Sequence, residues 1–269
     1  RFLSSDDIET YDYYEASVIQ MEALCRTGDR FSKFKHQIDF VSTGSSPLFA
    51  SDCDGLRKLL PYSRLFNTYQ ATEIPGGTAY NYNEENFRPN CIGKPVRTME
   101  IAILTEDGRF TKEAGVEGQI CAKSELVMKG YYNEPELTQS VFKDGWFVSS
   151  DIGKFDEDGY LYYIGRKDDV INLGGYKIAP TDVENIALQS GLVHECLCIE
   201  DSDEYGIPFI KLLVVVANKS QFDSKALNAF LSDKLEKYKI PRTIEAVDAL
   251  KKTFNGKTDR KAYRKKQSS

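Results

Sequence analysis

Charge gathers at one junction of this chain. Arg166, Lys167, Asp168 and Asp169 stand in succession between an aromatic, β-branched run (Tyr160–Gly165) and a second apolar run (Val170–Leu173). Four consecutive charges at a strand junction normally solvate a linker. Upstream, Asp156-Glu157-Asp158-Gly159 reads as a hairpin turn feeding a strand, and downstream lies the Gly174-Gly175 pair. Other residues able to carry chemistry are Thr72-Glu73, Asp151 and Gly256-Lys257. In isolation each is ordinary: a turn aspartate, a Thr-Glu pair, a surface lysine in a basic tail. Histidine is confined to His36 and His194, so a histidine triad or histidine-based metal site has little to work with.

Taken in order, five stretches resemble the signature of one enzyme superfamily. They are Ser42–Pro47, Asn67–Glu73, Gly118–Ile120 running on to Gly130–Asn133, Trp146–Pro180, and Asn255–Lys257. The resemblance is to the adenylate-forming enzymes: acyl- and aryl-CoA synthetases, peptide-synthetase adenylation domains and luciferases. It implies activation of a carboxylate by ATP to an acyl-adenylate, followed by transfer to a thiol, with ATP/AMP, Mg²⁺ and coenzyme A or a carrier protein's phosphopantetheine as cofactors. Carboxylate and α-phosphate are both anionic, so cations, fixed dipoles and alignment lower the barrier. In this family pattern Lys257 is the catalytic lysine bridging the two anions. Asp151 accepts from the ribose hydroxyls and Arg166 supports the ribose. Tyr69 stacks on adenine, with Asn67 in the same stretch, while Gly44, Ser45 and Ser46 form the loop flanking the base. Thr72 contacts phosphate and Glu73 is the Mg²⁺ ligand; one carboxylate plus phosphate oxygens is a common Mg²⁺ set. Asp168 is the hinge position about which a small domain swings, and Gly174 and Gly175 line the thiol's approach.

The chain departs from the pattern at three positions. Gln70 stands where glycine is preferred, Ser150 also replaces a glycine, and Lys251 replaces a proline. The family's Ser/Thr/Gly-rich phosphate loop with its lysine, and the first half of the acyl pocket, do not occur in this sequence. Together with an initial residue that is Arg1 rather than Met, this suggests the C-terminal half of such an enzyme. Expected partners are a small-molecule carboxylate, the missing N-terminal half and, in one variant, a carrier protein. Three alternatives stay open: an adenylation domain loading a carrier protein, a catalytically dead nucleotide-binding or scaffold relative suggested by Gln70 and the absent phosphate loop, and a nucleic-acid or membrane-surface binder acting through the basic C-terminus.

The elements expected to position these residues change along the chain. Residues 12–26 carry apolar positions at helical spacing. Ile38–Ser42 reads as a buried strand ending at Gly44, Ser51–Leu60 as a helix stopped by Pro61, and Arg64–Tyr69 as a second strand. Strand, helix, strand implies a partial parallel α/β sheet with ligand loops at the strands' C-terminal ends. Candidate strands at Val96–Thr105, Gly118–Lys123, Val127–Tyr132 and Tyr160–Ile164, with turns at Asp107-Gly108 and Asp144-Gly145, imply a small distorted β-barrel or sandwich. Asn133-Glu134-Pro135 opens a short helix. Beyond Lys167, Thr181-Asp182-Val183-Glu184 reads as a capping box opening a helix through Gln189. Strands near Glu195–Ile199 and Ile210–Val216, a helix over Ser224–Tyr238 and a last strand complete a compact α+β lobe. The expected division is 1–165 (an α/β piece, 1–92, and a barrel-like piece, 93–165), a hinge at 166–169, and a small mobile domain at 170–269.

A net charge of −6 argues against nucleic acid as the main partner, despite the cluster of lysines and arginines after Leu250. No apolar run approaches a membrane span, and no secretory leader opens the chain. The six cysteines show no metal-ligand spacing, and Cys196 and Cys198 read as two small apolar residues on one strand face rather than a metal or redox pair. Reduced thiols fit a cytoplasmic protein. Without the phosphate loop, this polypeptide alone is predicted to be inactive or nearly so in ATP–pyrophosphate exchange; exchange at the rate of an intact ligase would contradict that expectation.

Overall fold

The structure is a computed structural model and describes residues 13–17, 38–44, 50–81, 88, 90–254 and 257–263. The chain divides into two compact units, Arg1–Tyr163 and Ile164–Ser269.

In the first unit, β1 (Tyr13–Ser17), β2 (Phe40–Gly44) and β3 (Arg64–Tyr69) pair in parallel. Helix α1 (Ala50–Leu59) crosses between β2 and β3, which makes this the expected parallel α/β piece. It buries Cys53, Leu56 and Leu59 at helical spacing, and Leu60 follows before Pro61. The expected helix over 12–26 is corrected where it can be seen: 13–17 is a strand, its backbone groups taken up by the ladder to β2. The remainder of that helix lies outside the described residues.

Strands β4 (Thr78–Asn81) and β5 (Cys91–Pro95) turn the sheet antiparallel. Next come β6 (Glu100–Leu104), β7 (Phe110–Thr111), β8 (Gly118–Lys123), a short helix α2 (Pro135–Ser140), β9 (Phe142–Lys143), β10 (Trp146–Phe155) and β11 (Leu161–Arg166). The order is β1-β2-β3-β4-β5-β11-β10-β8-β6-β7, with β9 on β10. Ile92, Ile101, Ile103, Ile120, Phe147, Phe155 and Leu161 form one core under the antiparallel part, and Ile74 plugs into it from the loop after β3. Asp144 and Gly145 both have positive φ (51° and 78°), the signature of the tight turn that joins β9 to β10.

Two expected strands need correction here. Val96–Thr105 begins as a turn, with the Met99 N–H on the Val96 carbonyl, so β6 starts only at Glu100. Val127–Tyr132 is not a strand. Its backbone is spent elsewhere: Met128 N–H on the Glu73 carbonyl and Tyr131 N–H on Thr138 Oγ1.

The second unit is α+β. A hairpin of β12 (Ile171–Leu173) and β13 (Tyr176–Ile178) precedes α3 (Pro180–Gln189), then β14 (Glu195–Ser202), β15 (Pro208–Val215), α4 (Ser224–Lys234) and β16 (Thr243–Val247). β15 lies between antiparallel β14 and parallel β16. Period-2 alternation gives this sheet two apolar faces. Cys198, Ile210, Leu212 and Val214 pack with Val183 and Ala187 of α3 and Leu227 and Leu231 of α4. Leu197 and Leu213 pack on the other face with Leu250 and Tyr263 of the C-terminal segment. The expected capping box is corrected: Ala179 is the N-cap and makes no side-chain cap, Thr181 Oγ1 donates to the Ile164 carbonyl, and Glu184 turns into the interior. Pro180 at the first helical position starts α3 without a capping side chain.

Among the described residues no helix is long and apolar enough to cross a membrane. A Cβ on Gly118 would meet the Leu104 carbonyl oxygen at 2.3 Å and Ile103 Cγ2 at 2.8 Å, and backbone cannot step aside cheaply. Gly118→Ala is therefore expected to destabilise the first unit by about 1–3 kcal/mol, seen as a lowered denaturation midpoint with an unchanged slope; an unmoved midpoint would show that β6 and β8 are not packed this closely.

Candidate functional site

The parallel strands end where the resemblance places a nucleotide. Gly44 closes β2 against the neighbouring strand: a Cβ there would lie 2.6 Å from the Thr68 carbonyl oxygen, so packing alone already requires glycine. Ser45 and Ser46 lie outside the described residues. Asn67 sits one strand over, buried between its register partners Thr43 and Tyr80. The Thr43 hydroxyl is buried and has no hydrogen-bond partner among the described residues, an open polar valence at this strand end.

Tyr69 ends β3, and its hydroxyl donates to Asp151 Oδ2 at 2.7 Å across 82 residues of sequence. Burial first, then the Asp151 charge, pushes the phenol well above its ordinary range, so it remains a donor. Asp151 owes its place to an irregularity in β10. The register with β8 shifts between Val148 and Ile152, which frees the intervening residues from the regular ladder. Ser149 pins that bulge: its hydroxyl donates to the Ile120 carbonyl (2.8 Å) and accepts from Asp151 N–H (3.1 Å), while Gln119 Nε2 holds the Ser149 carbonyl (2.7 Å).

The loop after β3 is folded back on itself, with Ala71 and Ile74 exchanging backbone hydrogen bonds and Ile74 wholly buried. That anchor presents exposed Gln70 and Thr72 and half-buried Glu73. Gln70 is not among the residues with positive φ, so the backbone does not demand the glycine that the family pattern has there. Glu73 Oε1 accepts from the Tyr131 hydroxyl at 2.8 Å. Burial and then the Glu73 carboxylate raise the Tyr131 pKa, which keeps that phenol a donor too. Glu73 so oriented is the residue that would hold a Mg²⁺ ion alongside phosphate oxygens and water.

In the second unit, Arg166 is the exposed end of β11 and Asp168 lies in the exposed turn Lys167–Asp169, flanked by extended Arg166 and Val170. Gly174 and Gly175 (φ 58° and 90°) form the two-residue turn between the paired Leu173 and Tyr176. Lys257 is exposed. Its carbonyl accepts from Thr253 N–H at 2.7 Å, beside a lone bridge between Lys252 and Thr258. Asn255 and Gly256 lie outside the described residues. Lys251 uses the N–H that proline would lack, donating to the Tyr263 hydroxyl at 2.8 Å. Cys196 and Cys198 lie in β14 with thiols pushed well up by burial and then by Glu184, as inert small side chains would be.

Sequence reasoning gave no site role to Ser149, Tyr131, Glu184 or Arg260. Tyr131 lies within the Gly130–Asn133 stretch, and the Thr181-to-Glu184 spacing matches a capping box. The place of Glu184 among the buried Pro180, Val183 and Ala187 of α3 was the missed signal, because a carboxylate on an apolar helix face needs a counter-charge. In the first unit, a double-mutant cycle of Tyr69→Phe and Asp151→Asn is expected to show about 1.5–3 kcal/mol of coupling in unfolding free energy; additive effects would mean that phenol and carboxylate do not bond.

Residues 10–132 match the AMP-binding enzyme family, and residues 182–257 match the AMP-binding enzyme C-terminal domain. A long-chain-fatty-acid–CoA ligase of Bacillus subtilis (strain 168) is 34% identical over 194 residues, spanning 72% of this chain and 35% of its own length. An oxalate–CoA ligase of Arabidopsis thaliana is 36% identical over 178 residues, spanning 66% of this chain and 34% of its own. The chain thus spans about a third of the length of these curated relatives. Among solved structures, the amide bond synthetase McbA from Marinactinospora thermotolerans shares the fold, with a TM-score of 0.86 over 98% of this chain and 53% of its own at 24% identity. O-succinylbenzoate coenzyme A synthetase (MenE) from Bacillus subtilis, in complex with AMP, superposes with a TM-score of 0.80 over 94% of this chain and 51% of its own at 25% identity. The chain belongs to the AMP-binding, adenylate-forming enzyme family.

Proposed function

We propose that this chain is the C-terminal portion of an AMP-forming carboxylate–CoA ligase. The observation that carries this reading is the hydrogen bond from Tyr69, at the end of β3, to Asp151 in the bulge of β10, with Glu73 four residues after Tyr69 held by Tyr131, on a chain whose relatives include several CoA ligases. Tyr69 offers its ring face to adenine while its hydroxyl fixes Asp151, whose carboxylate receives the ribose hydroxyls with support from Arg166. Gly44, Ser45, Ser46 and Asn67 border the base. Thr72 contacts phosphate. Glu73, oriented by Tyr131, holds Mg²⁺, which neutralises phosphate charge when bound. The phosphate loop and the rest of the acyl pocket come from residues upstream of this chain. Gln70 is exposed and has no positive φ, so this departure from glycine does not strain the loop.

The division 1–165, 166–169 and 170–269 fits a large-domain portion, a hinge at Asp168 and a mobile small domain. In the adenylation pose Lys257 places its ammonium between carboxylate and α-phosphate. In the second pose the Gly174-Gly175 turn lines the path of the thiol, on coenzyme A or on a carrier protein. Free thiols at Cys53, Cys91, Cys121, Cys196 and Cys198 suit a cytoplasmic enzyme.

A cation about 4 Å from an anion contributes on the order of 4 kcal/mol at an effective dielectric near 20. Lys257→Ala, in the protein carrying its upstream segment, should therefore lower ATP–pyrophosphate exchange by about 10²–10³-fold, with AMP affinity nearly unchanged. Undiminished exchange with a panel of carboxylates would remove the lysine from the mechanism.

A further inference from the structure

Among its described residues, the segment that carries Lys257 has almost no secondary structure of its own. Between β16 and the end of the described residues it makes one isolated bridge, Lys252 to Thr258, and a short turn at Arg260–Tyr263. Its apolar hold is Leu250 and Tyr263 on the outer sheet face. Lys252 adds a surface ion pair with Glu195, both partners more than a third exposed, which contributes little order. A lysine that must meet two anions in one geometry needs firmer support than this, because a displacement of about 1 Å is costly in catalysis.

Arg260, three residues after Lys257, supplies a different kind of contact. Its guanidinium pairs with Glu184 Oε2, lies 3.9 Å from Asp169 Oδ2, and donates to the Cys198 carbonyl at 3.4 Å. Glu184 is nearly buried, and its other oxygen accepts from Cys198 N–H at 2.7 Å. The carboxylate is thus bound on both sides and cannot shift to solvent without losing a backbone bond. Burial works against the Arg260 charge, yet Glu184 and then Asp169 hold its pKa above the ordinary guanidinium range. Only a planar fork can meet a carboxylate, a second acidic group and a carbonyl together. Asp169 is also the residue after Asp168.

We propose that Arg260 is a positioning residue for Lys257: its fork, seated on Glu184 of α3 and beside Asp169, fixes the lysine-bearing segment to the rigid body of the second unit and ties it to the hinge turn. The proposal rests on the reading of Lys257 as the adenylating cation. It predicts that Arg260 acts only through that lysine.

The test uses the protein with its upstream segment and measures ATP–pyrophosphate exchange and thermal unfolding for Lys257→Ala, Arg260→Lys and the double variant. Arg260→Lys should lower kcat about 10-fold, with KM for ATP changed less than about twofold. In the Lys257→Ala background the same change should cost no further activity. Equal fold losses in both backgrounds, or wild-type kcat in Arg260→Lys, would overturn the proposal while leaving the lysine's role standing. Full activity in Lys257→Ala would overturn that role, and the proposal with it. Arg260→Met alone strands a buried carboxylate and is expected to melt early. Paired with Glu184→Gln it should regain thermal stability but not kcat, whereas recovery of both would reduce the cluster to a fold-stabilising role.

Discussion

The hydrogen bond between Tyr69 and Asp151 ties the end of a parallel strand to a bulge in an antiparallel one. The two residues are far apart in sequence, and the sheet changes character between them, so their meeting depends on several local events. β3 must end at Tyr69, the loop must be held down by Ile74, and β10 must break register so that Asp151 leaves the ladder. Ser149 and Gln119 make the last of these possible by taking up the backbone groups that the bulge exposes. An unpinned bulge would leave such groups unsatisfied in a half-buried place. The face that we propose for the nucleotide is thus a product of the whole mixed sheet, and the shared core under β5, β6, β8, β10 and β11 gives it rigidity.

The second unit solves a separate problem with buried charge. Its sheet has two apolar faces, one covered by α3 and α4 and the other by a segment with little structure of its own. Apolar contact through Leu250 and Tyr263 places that segment but specifies orientation poorly, since such contact is non-directional. The Arg260–Glu184–Asp169 cluster adds direction. A buried pair of this kind is often no net gain in stability, which makes geometry the better explanation for its presence.

Much of this was legible in the residues. The alternation in β14 and β15, the Asp-Gly and Gly-Gly turns, and α1 stopped by Pro61 follow from side-chain period and backbone sterics, which act over a few residues. The same locality explains the misses. Tyr13–Ser17 is a strand because of what β2 offers it, and Val127–Tyr132 is a loop because Glu73 and Thr138 claim its N–H groups. Thr181 and Glu184 have capping-box types and spacing, but tertiary partners take both side chains. The types of the candidate site residues could be read from ordered motifs. The phenol–carboxylate bond, the Ser149 brace and the Tyr131 contact to Glu73 could not, because each depends on a register shift or loop path set at long range.

The central claim is that the end of β3 and the bulge in β10 form one nucleoside-binding face. Hydrogen exchange on the protein with its upstream segment, with and without AMP, tests it most directly. Slowed exchange concentrated at Asn67–Glu73 and Ser149–Ile152, with the interior of β14 and β15 unchanged, is the predicted result. Saturating AMP that leaves both segments exchanging at their free rates would contradict it.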